Sequence, residues 1–344
     1  MAGAWLQAAL EQAPNAEGGS NPTSSNVFYL KADSVKFDDG FKALEEEKKM
    51  VGVLGRPKHL GVASYSPKVT IKGVSPRPAD LGLILFLWAG ACTTTPGGAL
   101  VTDPDGNPVP TGAYKHVFSF AGDTPQTVRL LLKDAGGNFF KLTGGGVEDV
   151  SFTFGDGVFT YDASLLGLFG GPTTDPSLTP AYDAATPFRQ GDMTLNWLTG
   201  SAETKAFTFK LAAGLETDKG FSVVSDYPDI ILFGNDEASL PDISGTITKR
   251  TLDVDDWNAL IGGTQFDAKI KLTHRELIGS TGRKAMAWFD MPGCQHISDD
   301  PDDIANVRRR ENKINWQARV DETTDTVCVV TLVNGTAAYA TYGA

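Results

Sequence analysis

Residues 69–85, "VTIKGVSPRPADLGLIL", have a faint counterpart at residues 245–261, "GTITKRTLDVDDWNALI". Both begin as a short β-like run, pass through a polar turn to an aspartate, and continue into an apolar, helix-like run. The offset, 69 to 245, is 176 residues without a gap, close to half of a 344-residue chain. The identities are Thr70/Thr246, Ile71/Ile247 and Asp80/Asp256. The order of elements on either side repeats more clearly than the residues do. A chain this long exceeds one typical core and suits two, so a duplicated unit is expected.

Between these landmarks the pattern is mostly β. "VFYLKA", "KVTIKG", "KHVFSF", "TVRLLLKD" and "NFFKLT" are strand candidates, and in residues 149–154 Val150, Phe152 and Phe154 alternate with polar residues as in a half-buried strand. Residues 78–90 form the first expected helix, with Pro78 in its first turn, Asp80 at its positive end and Gly90 as its cap. Residues 252–263 form the second, with Asp253 as N-cap. A short helical arm is expected at residues 2–12, and partly helical structure at 41–50. Asn334-Gly335, followed by "TAAYATY", signals a hairpin. Insertions differ between the halves, at 93–113 and about 297–312. The Pro-, Thr- and Gly-rich segment 168–191 is the best domain boundary. The expected organisation is therefore an N-terminal arm and connector at 1–26, a first domain at 27–167, a linker at 168–191 and a second domain at 192–344.

Chemistry is hard to find. The sequence has no GxSxG, HExxH or P-loop motif. The glycines at 144–146 lead from strand to strand and read as a bend, since no helix N-terminus follows to hold an anion. His59, His116, His274 and His296 lack metal-ligand spacing, and "DPDGN" at 103–107 reads as a turn because its glycine is misplaced for a calcium loop. Cys92, Cys294 and Cys328 are odd in number and far apart, which suits a reducing compartment. No secretory signal is evident, and the longest apolar run, residues 81–92, is too short to span a membrane. A net charge of −12 disfavours wrapping nucleic acid. It suits a surface past which DNA slides without sticking. No cofactor, metal or catalytic residue is expected, and the chain does not read as an enzyme.

The stretches "KVTIKGVSPRPADLGLILFLWAGA", "YKHVFSF" and "TVRLLLKDAGGNFFKLTGGGVEDVSFTF" together resemble the tail tube protein of long-tailed, non-contractile bacteriophages, in its larger, duplicated form. The likeness covers roughly residues 60–160 and, more loosely, 240–335. It implies a mainly β fold of two tandem β-sandwich domains, each with a flanking short helix, whose sheets join into a barrel-shaped ring. It implies a trimer with pseudo-sixfold symmetry, stacked into a tube that conducts genomic DNA during ejection. The partners implied are further copies of the chain, a tape measure protein and a terminator, in a virion tail assembled in the host cytoplasm.

Within that resemblance, residues 34–60 are expected either to stack between rings, with Phe37, Phe41, Leu44, Met50, Val53 and Leu54 as candidate contacts, or to fold back on their own domain. Arg308, Arg309 and Arg310, downstream of "SDDPDD", are expected to pair with acids in the chain or in a neighbouring subunit. The alternatives are another tail component, such as a terminator or baseplate protein, and a non-catalytic β-sandwich module that binds carbohydrate. The latter should show exposed aromatics, a calcium cluster or a secretion signal.

Overall fold

The computed structural model describes residues 5–11, 27–38, 42–45, 60–64, 67–120, 125–198, 204–216, 232–233, 242–249, 254–301, 312–321 and 326–339. The first half contains β1 (Trp5–Leu10), β2 (Val27–Leu30), β3 (Ser34–Asp38), β4 (Lys42–Glu45), β5 (Leu60–Ser64), β6 (Lys68–Val74), α1 (Pro78–Ala89), β7 (Gly90–Pro96), β8 (Tyr114–Phe120), β9 (Val128–Lys133), β10 (Phe139–Gly155), β11 (Val158–Leu166) and β12 (Phe169–Thr173). The second contains β13 (Met193–Asn196), β14 (Thr204–Ala212), β15 (Leu215–Glu216), β16 (Leu232–Phe233), β17 (Asp242–Lys249), α2 (Val254–Gly262), β18 (Phe266–Leu277), β19 (Lys284–Pro301), β20 (Asn312–Ala318) and β21 (Val329–Asn334). The protein is mainly β. The 176-residue offset carries the start of α1 onto the start of α2, and the start of β7 onto that of β18.

All ladders are antiparallel. The larger layer runs in the order β3-β6-β11-β10-β14-β17-β20-β19. It consists of two four-stranded units laid edge to edge, β3-β6-β11-β10 and β14-β17-β20-β19. Even an irregularity repeats. The β10–β11 register slips between Val147 and Asp149, and the β19–β20 register slips at the equivalent place, between His296 and Ser298. A bulge is one inserted residue that bends its strand, so the two units share a defect as well as an order.

A second layer, β13-β18-β19-β21-β8-β7, packs against the first. A smaller one, β2-β1-β9-β10-β12, extends the N-terminal part of β10. β10 and β19 are long because each serves two layers. The corners need glycine. A Cβ on Gly144 (φ 61°) would lie 2.7 Å from the Leu168 side chain, and one on Gly293 would lie 2.7 Å from the Arg319 carbonyl oxygen. The sheet curls around its core as a barrel does. Among the described residues, however, the ladders branch without returning to a strand already joined, and edges remain open.

One core runs through both halves, from Val69, Ile71 and Val150 to Phe209, Phe289 and Trp316. The halves also exchange strand contacts, because β21 lies between β19 and β8, and β10 lies beside β14. The insertion at 97–113 folds over the second half. Val109 and Ala113 pack on Met286 and Trp288, Asp103 pairs with Arg283, and Asp105 meets Lys271 at 2.6 Å.

α1 begins with Pro78 and ends at Gly90, whose left-handed conformation (φ 82°) returns its N–H to the Phe86 carbonyl. Every residue of α1 except Ala79 is buried. A helix that is apolar on all sides must be covered on all sides. β10, β7 and β8 cover α1 from the first half, and β21 and Tyr339 cover it from the second.

Several expectations change. The expected helical arm at 2–12 contains a strand instead: β1 sits between β2 and β9 and is buried along its length. Both its faces are covered, so no alternation marks it in sequence. Gln7 donates to the Tyr29 hydroxyl at 2.8 Å, and Glu11 accepts the Gly144 N–H at 2.9 Å. Residues 42–45, expected within a partly helical stretch, form a strand paired with β5. Within the segment 168–191, β12 pairs with β10 and Leu168 and Phe188 are buried, while residues 174–187 form no helix or strand and are mostly exposed.

Asn334-Gly335 does not turn a hairpin; residues 336–339 form no strand. The Asn334 amide is committed elsewhere, donating to the Pro78 carbonyl (3.0 Å) and to the Tyr339 hydroxyl (2.8 Å). Its carbonyl faces His116 Nε2 at 3.0 Å, and His116 Nδ1 faces the Thr94 hydroxyl at 2.9 Å. This buried chain fastens β7, β8, β21 and the start of α1 together.

Gly82 tests how tightly α1 is covered. Alanine is favoured over glycine by about 1 kcal/mol inside a helix, but a Cβ on Gly82 would overlap the Tyr339 hydroxyl. Overpacking of this kind costs about 1–3 kcal/mol, so Gly82→Ala is expected to lower the midpoint of urea unfolding rather than raise it.

Candidate assembly surface

Among the described residues, the two ends of the eight-stranded layer are unpaired and complementary. At one end, the described pairing of β3 is with β6. At the other, the ladder of β18 against β19 ends at Cys294, while β20 follows the opposite side of β19 to Pro301. The outer side of residues 295–301 thus has no strand among the described residues. Inside the chain, the equivalents of these two edges are already joined. Val35 and Phe37 lie opposite Ile71 and Val69 as Phe207 and Phe209 lie opposite Ile247 and Gly245, so β3 corresponds to β14. The shared bulge makes the C-terminal part of β19 correspond to that of β10. The β10–β14 junction runs from Asp149 opposite Ala212 to Phe154 opposite Phe207. An open edge is a template for another strand, and this chain carries both halves of one.

The solvent face of the layer is polar by simple alternation. The row Thr160, Thr153, Thr208, Thr246 and Asn315 crosses five strands, with the hydroxyls of Thr208 and Thr246 2.7 Å apart. Lys36, Lys68, Lys72, Lys210 and Lys313 share this face with Asp38, Asp149, Asp162 and Asp242. Lys68 lies 2.5 Å from Glu148 and Lys210 3.3 Å from Asp149. The acidic excess of the whole chain is therefore not concentrated here.

Of the expected contacts, Phe37 is half-buried and turned toward its own chain, with its ring 5.8 Å from that of Phe140. The backbone of Leu44 lies in β4. The side chain of Leu44, and Phe41, Met50, Val53, Leu54, Arg308, Arg309 and Arg310, lie outside what the structure describes. Of the ten large apolar side chains exposed among the described residues, two lie near the open edge of β19 and were not singled out from sequence. Ile297 occupies the bulge of β19, and Trp257 lies on α2. Only comparison with the first copy would have drawn attention to them.

The aspartate shared by the repeats is buried in both. Asp256 meets Lys249 at 2.5 Å, both being almost fully enclosed. Beside them, Trp197 donates to His296 at 3.3 Å. Asp80 has a weaker arrangement. Burial pushes its pKa up to about 7, against the opposing pull of Arg77, while Asp183 pushes it up further. A cavity of about 360 Å³ is lined by His274, Glu276, Asp183 and Asn334. His274 is already engaged by the Thr186 carbonyl at 2.8 Å and the Glu276 N–H at 3.2 Å. Among the described residues no cluster of potential metal ligands occurs. The carboxylate of Asp103, in the acidic turn, accepts the N–H groups of Asp105 (3.0 Å) and Asn107 (2.8 Å). All three cysteines are free. No described helix is long and apolar enough to cross a membrane.

No protein-family model matches this chain, and no curated protein sequence matches it.

Asp80 gives a pH dependence. A carboxyl whose folded pKa lies above its unfolded value favours folding at low pH and loses that contribution as pH rises, here between about 4 and 7. Asp80→Asn removes this loss. Thermal unfolding from pH 4 to pH 8 should show the melting temperature of the variant gaining on that of the parent across this window, with most of the gain complete by pH 8.

Proposed function

We propose that this protein is a structural subunit that polymerises into rings, and that stacked rings of it form the tail tube of a long-tailed, non-contractile bacteriophage. The observation that carries the reading is the eight-stranded layer, built from two tandem four-stranded units and open at complementary edges. Repeating the internal β10–β14 junction between chains, with β19 of one copy beside β3 of the next, is a head-to-tail contact. Such contacts close into rings when the rotation allows. Three chains, each contributing eight strands, would give a closed layer with pseudo-sixfold symmetry and no open edge.

In this reading the Thr- and Lys-bearing face lines the bore, and genomic DNA passes along it without specific binding. The hydroxyl row carries no charge, and Lys68 and Lys210 are tied to neighbouring acids, which lowers the charge free to hold phosphates. Tape measure and terminator proteins would be the other partners. The virion tail would be the final location, reached by assembly in the host cytoplasm.

Negative-stain electron microscopy of the purified chain over a concentration series tests the proposal. Rings or hollow tubes of uniform width, with threefold or pseudo-sixfold end views, are expected. Monodisperse monomers at every concentration would overturn it and favour a capping component or a binding module.

A further inference from the structure

The two helices occupy equivalent places but differ in what covers them. With the 176-residue offset, Asp80, Leu83 and Ile84 of α1 correspond to Asp256, Ala259 and Leu260 of α2, and these inward positions are buried or half-buried in both. The outer positions diverge. Leu81 and Leu85 are fully enclosed, whereas their counterparts Trp257 and Ile261 are 47% and 69% exposed. Gly82 and Phe86 of α1 pack under Tyr339, whereas Asn258 and Gly262 are open. The cover over α1 comes from the other half of the chain, through β21 and Tyr339. Among the described residues, no comparable cover lies over α2.

We infer that the outer face of α2, centred on Trp257 and Ile261, is the contact through which one copy of this chain receives the first half of the next. The inference rests on the ring reading. The same head-to-tail relation that sets the second half against α1 would set the following copy against α2. Large apolar side chains one helical turn apart on an otherwise polar surface mark an interaction site. Ile297, 52% exposed, lies beside this face at the open edge of β19, next to His296, whose Nδ1 is 3.3 Å from the Asp256 carbonyl. Thus the apolar face and the unpaired strand edge belong to one surface. Asp256, on the inward side of the helix, is paired with Lys249, and the exposed carboxylate of the first turn is Asp255.

Tryptophan fluorescence gives a direct test. Trp5, Trp88, Trp197, Trp288 and Trp316 are all 5% exposed or less, so acrylamide should reach Trp257 alone. In dilute, unassembled chain the emission should be partly quenched, and Trp257→Phe should abolish that fraction. In isolated rings the quenchable fraction of the parent should fall at least threefold. Trp257→Glu with Ile261→Glu should raise the concentration needed for rings at least tenfold while leaving thermal unfolding of the unassembled chain within 2–3 °C of the parent. These thresholds are about those of losing one to two buried apolar side chains on the surface alone. Rings in which Trp257 remains as quenchable as before, or normal ring assembly by the double variant, would overturn the inference while leaving the ring reading intact. Absence of rings from the parent chain would overturn both.

Discussion

The structure depends on one helix that cannot meet water on any side. Residues 81–89 carry no charged group and no polar side chain other than the indole nitrogen of Trp88. A helix between a sheet and solvent needs one apolar stripe; α1 is apolar all round and needs a second cover. The first half supplies the floor through β10, β7 and β8. The second half supplies the remainder, with β21 paired to β8 and Tyr339 lying over Gly82. The requirement to bury α1 thus draws the two copies into one core, although each contains its own strands and helix.

The polar groups in that interface support the same arrangement. The Thr94–His116–Asn334–Tyr339 chain places each buried polar side chain opposite a partner and ends on carbonyls of the first turn of α1. Burial pushes the His116 pKa down, which favours the neutral imidazole. Neutrality allows one ring nitrogen to donate and the other to accept. Unsatisfied groups in this position would cost about 1–3 kcal/mol each, so the network fixes which strand of the second half meets the first. Asp256, at the position that matches Asp80, has partners of its own: it pairs with the enclosed Lys249, beside His296 and Trp197. Both units thus bury an aspartate at this position, with different neighbours.

The described surface is organised around edges and one exposed helix face. β3, the outer side of β19 and the outer face of α2 each have a counterpart inside the chain that is paired or covered. Two similar four-stranded units in this chain share one junction, β10 with β14, and leave the matching edges without a described partner. Three devices that usually blunt an edge strand are short length, charge and a bulge. β3 has the first two, with Lys36 and Asp38, and β19 has the third.

The sequence by itself determined the local structure where periodicity and punctuation agree. Pro78 and Gly90 bound α1, the glycines at 144–146 mark the bend of β10, and Val150, Phe152 and Phe154 face the core as alternation requires. The offset that relates the two copies was also legible, because the spacing of elements persists after residue identity has decayed. Tertiary structure alone decided which edges are paired and which are open. WLQAAL became a strand because β2 and β9 needed a partner between them, a contact far outside any local window. Asn334-Gly335 gave up its local turn preference because the Asn334 amide makes several buried hydrogen bonds instead. Leu81 and Leu85 of α1 are enclosed whereas Trp257 and Ile261, at the same places in α2, are exposed, because a second cover lies over α1.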